Sequence, residues 1–198
     1  MIYTIGNLQA ICYVLYYNCK INVILSISNV QSNVKEVCKI QKTILVAYYS
    51  QTGQTKKFAE MIAKMTNADV YEIVPVRKYN DDMWKAWDEA QIERAENKYP
   101  ALRGGLPDIS KYDTVIIGGG VWGFTLANPI FSFMKAMDFA GKKVSSFWTF
   151  YDHDEKYNND MRAETRNGTY KDGLALPRSL TANKAKTEKA IEEWLKTI

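Results

Sequence analysis

The sequence predicts an α/β fold: a doubly wound, five-stranded parallel sheet of strand order 2-1-3-4-5, with helices on both faces. Three observations predict it. Short β-branched runs alternate with helically spaced apolar positions from Gln41 onward, and each parallel connection requires such a crossover. Hydroxyl-rich and glycine-rich stretches follow the first and third of these runs, where a sheet of this order places its ligand crevice. A chain of 198 residues with 46% hydrophobic content holds one well-buried domain and not two.

The elements follow in order. TILVAYY, Thr43 to Tyr49, reads as a short buried strand. In TKKFAEMIAKMT, Phe58, Met61, Ile62 and Met65 recur at helical spacing, so a helix comes directly after it. ADVYEIVPV is a second strand, ended by Pro75. DDMWKAWDEAQIERAEN is a long polar helix with Trp84, Trp87, Ala90 or Gln91, and Ala95 on one stripe. Its tryptophans read as core or helix-to-sheet packing rather than as ligand contacts. YDTVIIGGG is the third strand, and NPIFSFMKAM the third helix, with Pro129 suited to its first turn. KKVSSFWTFY is the fourth strand, NDMRAETRN a short helix, and YKDGLAL a weaker fifth strand. TANKAKTEKAIEEWLKTI closes the chain as an amphipathic helix, with Thr181 or Asn183 as its cap.

Composition narrows the function. The formal charge is +4, half of it from Lys20, Lys35 and Lys39 against Glu36, and elsewhere cations and acids interleave. That pattern is a solvated surface and not a nucleic-acid stripe. Cys12, Cys19 and Cys38 all precede the main domain, and His153 is the single histidine, so neither a disulfide framework nor a zinc site is expected there. Residues 1–40 read as an N-terminal extension and 41–198 as the domain. The extension is apolar, but Asn18 and Lys20 interrupt it, no basic residue precedes the apolar part, and no small-residue cleavage pattern follows. It therefore reads as an appendage rather than a leader or anchor, and the protein as cytoplasmic.

Ser50, Gln51, Thr52, Gly53, Gln54 and Thr55 lie where a strand hands over to a helix. Unpaired N–H groups and the helix dipole favour an anion at such a place. Hydroxyls at 50, 52 and 55 add donors, and three of them exceed what capping requires. A terminal phosphate suits this chemistry. The nucleotide-triphosphate loop lacks its lysine here, the dinucleotide fingerprint lacks two glycines, and a phosphatase loop lacks its cysteine. After the third strand, GGGVWGFT offers a backbone able to approach a flat ligand, with Trp122 as an aromatic face. After the fourth, TFYDHDEKY adds Phe150 and Tyr151 with Asp152, Asp154 and Glu155.

From about Lys42 to Ile198 the chain resembles a flavodoxin. YSQTGQT matches the family pattern Ser/Thr-x-Thr-Gly-x-Thr, and YDTVIIGGGVWG, FMKAMDFAGKKV and IEEWLKTI stand where similar segments stand in the family's longer branch. The resemblance implies a non-covalently bound FMN that carries electrons one or two at a time between redox partner proteins. It implies that residues Ser50 to Thr55 hold the phosphate. It also implies that Gly119, Gly120, Val121, Trp122 and Gly123, with Thr149, Phe150, Tyr151 and Asp152, border the isoalloxazine, Trp122 being the stacking ring. Two departures stand out. The branch commonly reads Gly-x-Pro-x-Trp-Trp-Gly in the second loop, where Gly120 here replaces the proline and Gly123 the second tryptophan. The third loop, usually rich in glycine and serine, is FYDHDEKYNND, whose bulk re-aims the ring site, narrows it, or adds a stack through Tyr151. One carboxylate about 8 Å from a reduced flavin, at an effective dielectric of ~20, would destabilise it by roughly 2 kcal/mol. Asp152, Asp154 and Glu155 are the groups placed to do so. Two other functions fit the same residues: an NAD(P)H-dependent reductase of quinones or small electrophiles, and an interaction domain whose altered loops no longer take FMN.

Overall fold

The computed structural model describes residues 43–198 and, before them, four short strands. The chain divides into two units, Met1–Gln41 and Lys42–Ile198. In the first, β1 (Tyr3–Ile5) pairs antiparallel with β2 (Leu8–Ala10), and β3 (Tyr13–Tyr17) with β4 (Lys20–Ile24). Cys12, Cys19 and Cys38 lie outside the described residues, as does most of the stretch read as an appendage.

The second unit alternates strand and helix. Its elements are β5 (Ile44–Tyr48), α1 (Gln54–Thr66), β6 (Asp69–Glu72), α2 (Met83–Ala95), β7 (Thr114–Trp122), β8 (Thr125–Leu126), α3 (Asn128–Ala136), β9 (Lys143–Phe150), α4 (Tyr157–Glu164), β10 (Thr169–Tyr170), β11 (Leu174–Pro177), α5 (Arg178–Thr181) and α6 (Lys184–Leu195). The sheet runs β6-β5-β7-β9-β10, every neighbouring pair parallel, and β11 also pairs with β9. This is the expected order 2-1-3-4-5 with the fifth strand in two pieces. Successive residues point to opposite faces. Leu45, Ala47, Val115 and Ile117 enter one core with Phe133 and Met134 of α3 and Tyr157 and Met161 of α4. Val46, Tyr48, Ile116 and Phe147 enter the other with Phe58 and Ile62 of α1 and Ile191 and Trp194 of α6. Full burial of a side chain such as Phe58 or Ile62 contributes about 2 kcal/mol, so these two alone hold α1 firmly to the sheet.

Local chemistry sets the helix starts. Asp82 caps α2 by accepting from the backbone N–H of Trp84 at 2.9 Å and Lys85 at 3.1 Å. Asn183, not Thr181, caps α6, accepting from Lys186 N at 3.0 Å. Pro129 stands in the first turn of α3 as expected.

Four expectations need correction. The third strand does not stop at Gly120: it continues through Val121 and Trp122, which pair antiparallel with Leu126 and Thr125 of β8. The GGGVWGFT stretch is thus mostly strand, with a tight turn at Gly123 and Phe124, both at positive φ. The second strand is shorter, because the chain after β6 turns to bond a segment outside the sheet, Val76 N donating to Ala101 O at 2.8 Å and Arg103 N to Val74 O at 2.7 Å. The fifth strand breaks where Lys171 to Gly173 leave the ladder. Finally, Trp84 and Trp87 are not core residues, being 70% and 38% exposed. Helix α2 instead buries Ala86 and Ala90, whose small side chains let it approach closely. Polar anchors hold it there: Arg94 donates to Asn128 Oδ1 and to Leu126 O, both at 2.8 Å, and Asn128 Nδ2 donates to Ala90 O at 3.0 Å.

Candidate functional site

The first loop leaves the sheet with its backbone fixed on both sides. Tyr49 N donates to Gly118 O at 2.9 Å, and Ile73 N donates to Tyr48 O at 2.7 Å. Ser50 to Gly53 then turn into α1. Gly53 has φ 88°, and a Cβ there would meet nothing within 4 Å. The glycine is needed for its left-handed conformation and not for space. Because glycine stands at the N-cap, no side chain caps α1, and no acid lies in its first turn. The leading N–H groups are therefore available to an anion.

Side chains complete this end. The Ser50 hydroxyl oxygen is buried with no hydrogen-bond partner; among the described residues only one other buried side-chain polar atom, Tyr157 Oη, shares that condition. Thr55 is buried, and its hydroxyl stands 3.3 Å from that of Thr149 at the end of β9. Thr52, Gly53 and Gln54 are exposed. Gln51 turns away, donating from Nε2 to Asn80 O at 2.6 Å. The loop thus brings Thr55 together with Thr149, buries the Ser50 hydroxyl unpartnered, and leaves the Gln51 side chain tied to the segment before α2.

The glycines of β7 have separate reasons. A Cβ on Gly118 would lie 2.1 Å from the Phe147 ring, and one on Gly119 would lie 2.6 Å from Tyr157 Oη. At these two positions the packed interior leaves no room for a side chain. Gly120 is open, its nearest neighbour being Trp122 Nε1 at 3.9 Å. Trp122 is half-buried, its ring edge-on to Tyr49 with centroids 5.7 Å apart and to Tyr79 with centroids 4.8 Å apart. Sequence reasoning missed Tyr49 and Tyr79, since the contact of Tyr79 spans more than forty residues and leaves no local pattern. Burial raises the pKa of both tyrosines, with Glu93 adding to it, so both are neutral hydrogen-bonding walls. The Tyr79 hydroxyl donates to Glu93.

The third loop is tied down by its own charges. Trp148 Nε1 donates to Asp154 Oδ2 at 2.7 Å, and His153 Nδ1 pairs with Glu155 Oε1 at 2.9 Å. Of the three carboxylates expected beside the ring, Asp152 alone lacks such a side-chain partner among the described residues. Thr149 and Phe150 are half-buried at the end of β9, and Tyr151 is 66% exposed beneath the Arg178 guanidinium. Lys156 N donates to Phe124 O at 3.1 Å, which joins this loop to the tip of the β7–β8 hairpin. Beside Ser50 and Gln51, a cleft of about 330 Å³ opens between Tyr49, Tyr79 and Arg103.

The sequence model of the flavodoxin family, described as "Flavodoxin", matches residues 43–198. The chain belongs to the flavodoxin family. Solved structures agree with this flavodoxin assignment. A candidate flavoprotein from Bacteroides eggerthii is 28% identical over 79% of this chain and 97% of that one, with a TM-score of 0.68. Another from Bacteroides uniformis is 27% identical over 78% and 97%, with a TM-score of 0.67. A flavoprotein from Lactobacillus acidophilus, solved in complex with FMN, is 23% identical over 78% and 99%, with a TM-score of 0.63. Among curated proteins nothing matches. In this flavodoxin no helix among the described residues is long and apolar enough to cross a membrane.

Proposed function

We propose that this flavodoxin binds FMN and transfers electrons between redox partner proteins in the cytoplasm. The observation that carries the reading is the buried Ser50 hydroxyl without a partner, beside a helix start that no side chain caps. An unsatisfied buried hydroxyl costs free energy that an acceptor returns. Donors at a helix start with no acid in its first turn fit a phosphate. Ser50, Thr52 and Thr55 with the amides at the start of α1 would hold that group, and Trp122 with Thr149 and Phe150 would border the ring. Bound FMN supplies one- and two-electron chemistry. The chain supplies orientation, water exclusion and charge, with Asp152 as the carboxylate left to tune the potential.

The test is the absorption spectrum of purified protein with and without added FMN, followed by titration. A band near 450 nm with saturable binding supports the reading; colourless protein that gains no such band overturns it and favours an interaction domain. A second reading, reductase activity toward a small substrate, draws on the cleft beside Ser50, whose volume suits a small molecule and whose wall carries Arg103. Steady-state NADPH turnover with menadione by the FMN-loaded protein separates an enzyme from a carrier.

A further inference from the structure

Gly123 stands at the tip of the β7–β8 hairpin, and α2 closes on it. A Cβ there would meet Trp87 Nε1 at 3.0 Å, Arg94 Nη1 at 3.1 Å and Gln91 Oε1 at 3.4 Å. One step down the hairpin, Arg94 Nη2 donates to Leu126 O at 2.8 Å. The helix stripe Arg94, Gln91, Trp87 therefore tracks the hairpin from Leu126 out to its tip. The next position on that stripe toward the helix start is Trp84, about one turn or ~5 Å further on. Trp84 therefore shares the stripe that reaches the hairpin tip, one turn nearer the helix start.

The start of α2 is also tied to the first loop, through the bond from Gln51 Nε2 to Asn80 O at 2.6 Å. The helix thus begins between the hydroxyl-rich loop and the Trp122 hairpin. The first turns of α2 expose Met83 at 57%, Trp84 at 70% and Trp87 at 38%, and the hairpin tip exposes Phe124 at 47%. Scattered exposed aromatics need no explanation, whereas two tryptophans on one helix stripe beside the Trp122 hairpin do. Tyr79 ties the helix to the hairpin: its hydroxyl donates to Glu93 of α2 and its ring meets the Trp122 ring at 4.8 Å between centroids. Trp87 and Trp122 consequently belong to one braced assembly.

We propose that Trp84 and Trp87 are residues of the ring end of the cofactor site, an aromatic wall carried by α2. They take the place of a second loop tryptophan, which the left-handed φ of 60° and the close side-chain ends at position 123 disfavour. The inference rests on the FMN reading above. A wall on a helix anchored through Arg94 holds its rings more precisely than a loop can.

The experiment loads wild-type protein and the variants Trp84→Phe, Trp87→Phe, Trp84→Ala and Trp87→Ala with FMN. It measures the emission of bound flavin and the FMN dissociation constant. An indole packed on a flavin quenches its emission, so each phenylalanine variant should brighten bound FMN by roughly twofold or more. Each alanine variant should weaken binding roughly 3- to 10-fold, the worth of one aromatic contact. Trp194→Phe, in the opposite core with Phe58 and Ile191, should change neither quantity. Trp84 is 70% exposed, so thermal melting of its ligand-free variants should match wild type, and the phenylalanine variant at Trp87, which keeps an aromatic ring, should melt close to it. If wild type binds FMN and all four α2 variants equal it in emission and affinity, the proposal is overturned and the FMN reading stands. If wild type takes up no FMN, both fall together.

Discussion

Trp148 and Tyr157 stack with ring centroids 4.8 Å apart and planes 21° apart, and the tyrosine hydroxyl ends in the core without a hydrogen-bond partner. Burial raises its pKa far above the ordinary tyrosine value, so it stays neutral. Removing an unsatisfied buried hydroxyl while keeping the ring should be favourable. Tyr157→Phe is expected to stabilise the ligand-free protein by about 1 kcal/mol in urea unfolding and to leave FMN affinity unchanged.

Ser50→Ala removes the other such hydroxyl, with a different expected outcome. The ligand-free protein should again be at least as stable as wild type, while FMN binding weakens about tenfold, the worth of a hydrogen bond to a charged acceptor. Parallel unfolding and FMN titration measure the two effects. Equal affinity would remove Ser50 from the site.

Gly118→Ala tests the packing argument for β7. The new methyl would press into the Phe147 ring, whose atoms lie 2.1 to 2.8 Å from it. Overpacking of this kind costs about 2–3 kcal/mol, read as a lowered denaturation midpoint. The double variant with Phe147→Leu should recover part of the loss, because the smaller side chain vacates the space.

Arg94→Met tests the anchor of α2. Burial lowers the guanidinium pKa, yet that group satisfies Asn128 Oδ1 and Leu126 O at 2.8 Å each. Methionine fills the volume but strands both acceptors, at a cost of about 2–4 kcal/mol. Arg94→Lys should rescue little, since a single ammonium cannot reach two divergent acceptors as the planar fork does.

His153 gives a pH-dependent signature. Its hydrogen bond to Glu155, and then the charge of that carboxylate, raise the histidine pKa above 6.5, while the same contact lowers Glu155 below 4.5. The histidine contribution is present below 6.5 and lost as pH rises through the raised value. The glutamate contribution is present above 4.5 and lost as pH falls through the lowered one. The pair is therefore fully formed between these two ordinary values. An NMR titration of His153 should show the raised pKa, and Glu155→Gln should return it toward 6.5.

Legibility in the sequence followed the range of the interactions. The strand and helix order and the hydroxyl-rich loop rest on near neighbours, and spacing exposed them, whereas for α6 it left Thr181 and Asn183 both open as caps until the bond to Lys186 N decided. The proposed ring end rests on contacts between distant segments: Tyr79 against Trp122, Arg94 on Leu126, and Lys156 N on Phe124 O. Trp84 and Trp87 misled for the same reason. A tryptophan stripe ordinarily marks a buried face, but Ala86 and Ala90, on an adjacent strip of the helix, lie against the domain instead. The three neighbouring glycines of β7 read alike in sequence, yet only contact with Phe147 and Tyr157 distinguishes the first two from Gly120.

The broken fifth strand protects the protein from polymerising through its sheet. Along that margin β10 offers two residues and β11 four, parted by the detour through Asp172 and closed by Pro177, which has no N–H to donate. At the far margin β6 is four residues long, and the chain beyond it is engaged with Ala101 and Arg103. Neither border presents the long unpaired row of amides and carbonyls on which a stray strand would template itself. Deleting Lys171 to Gly173 to make one continuous ribbon would give up that protection.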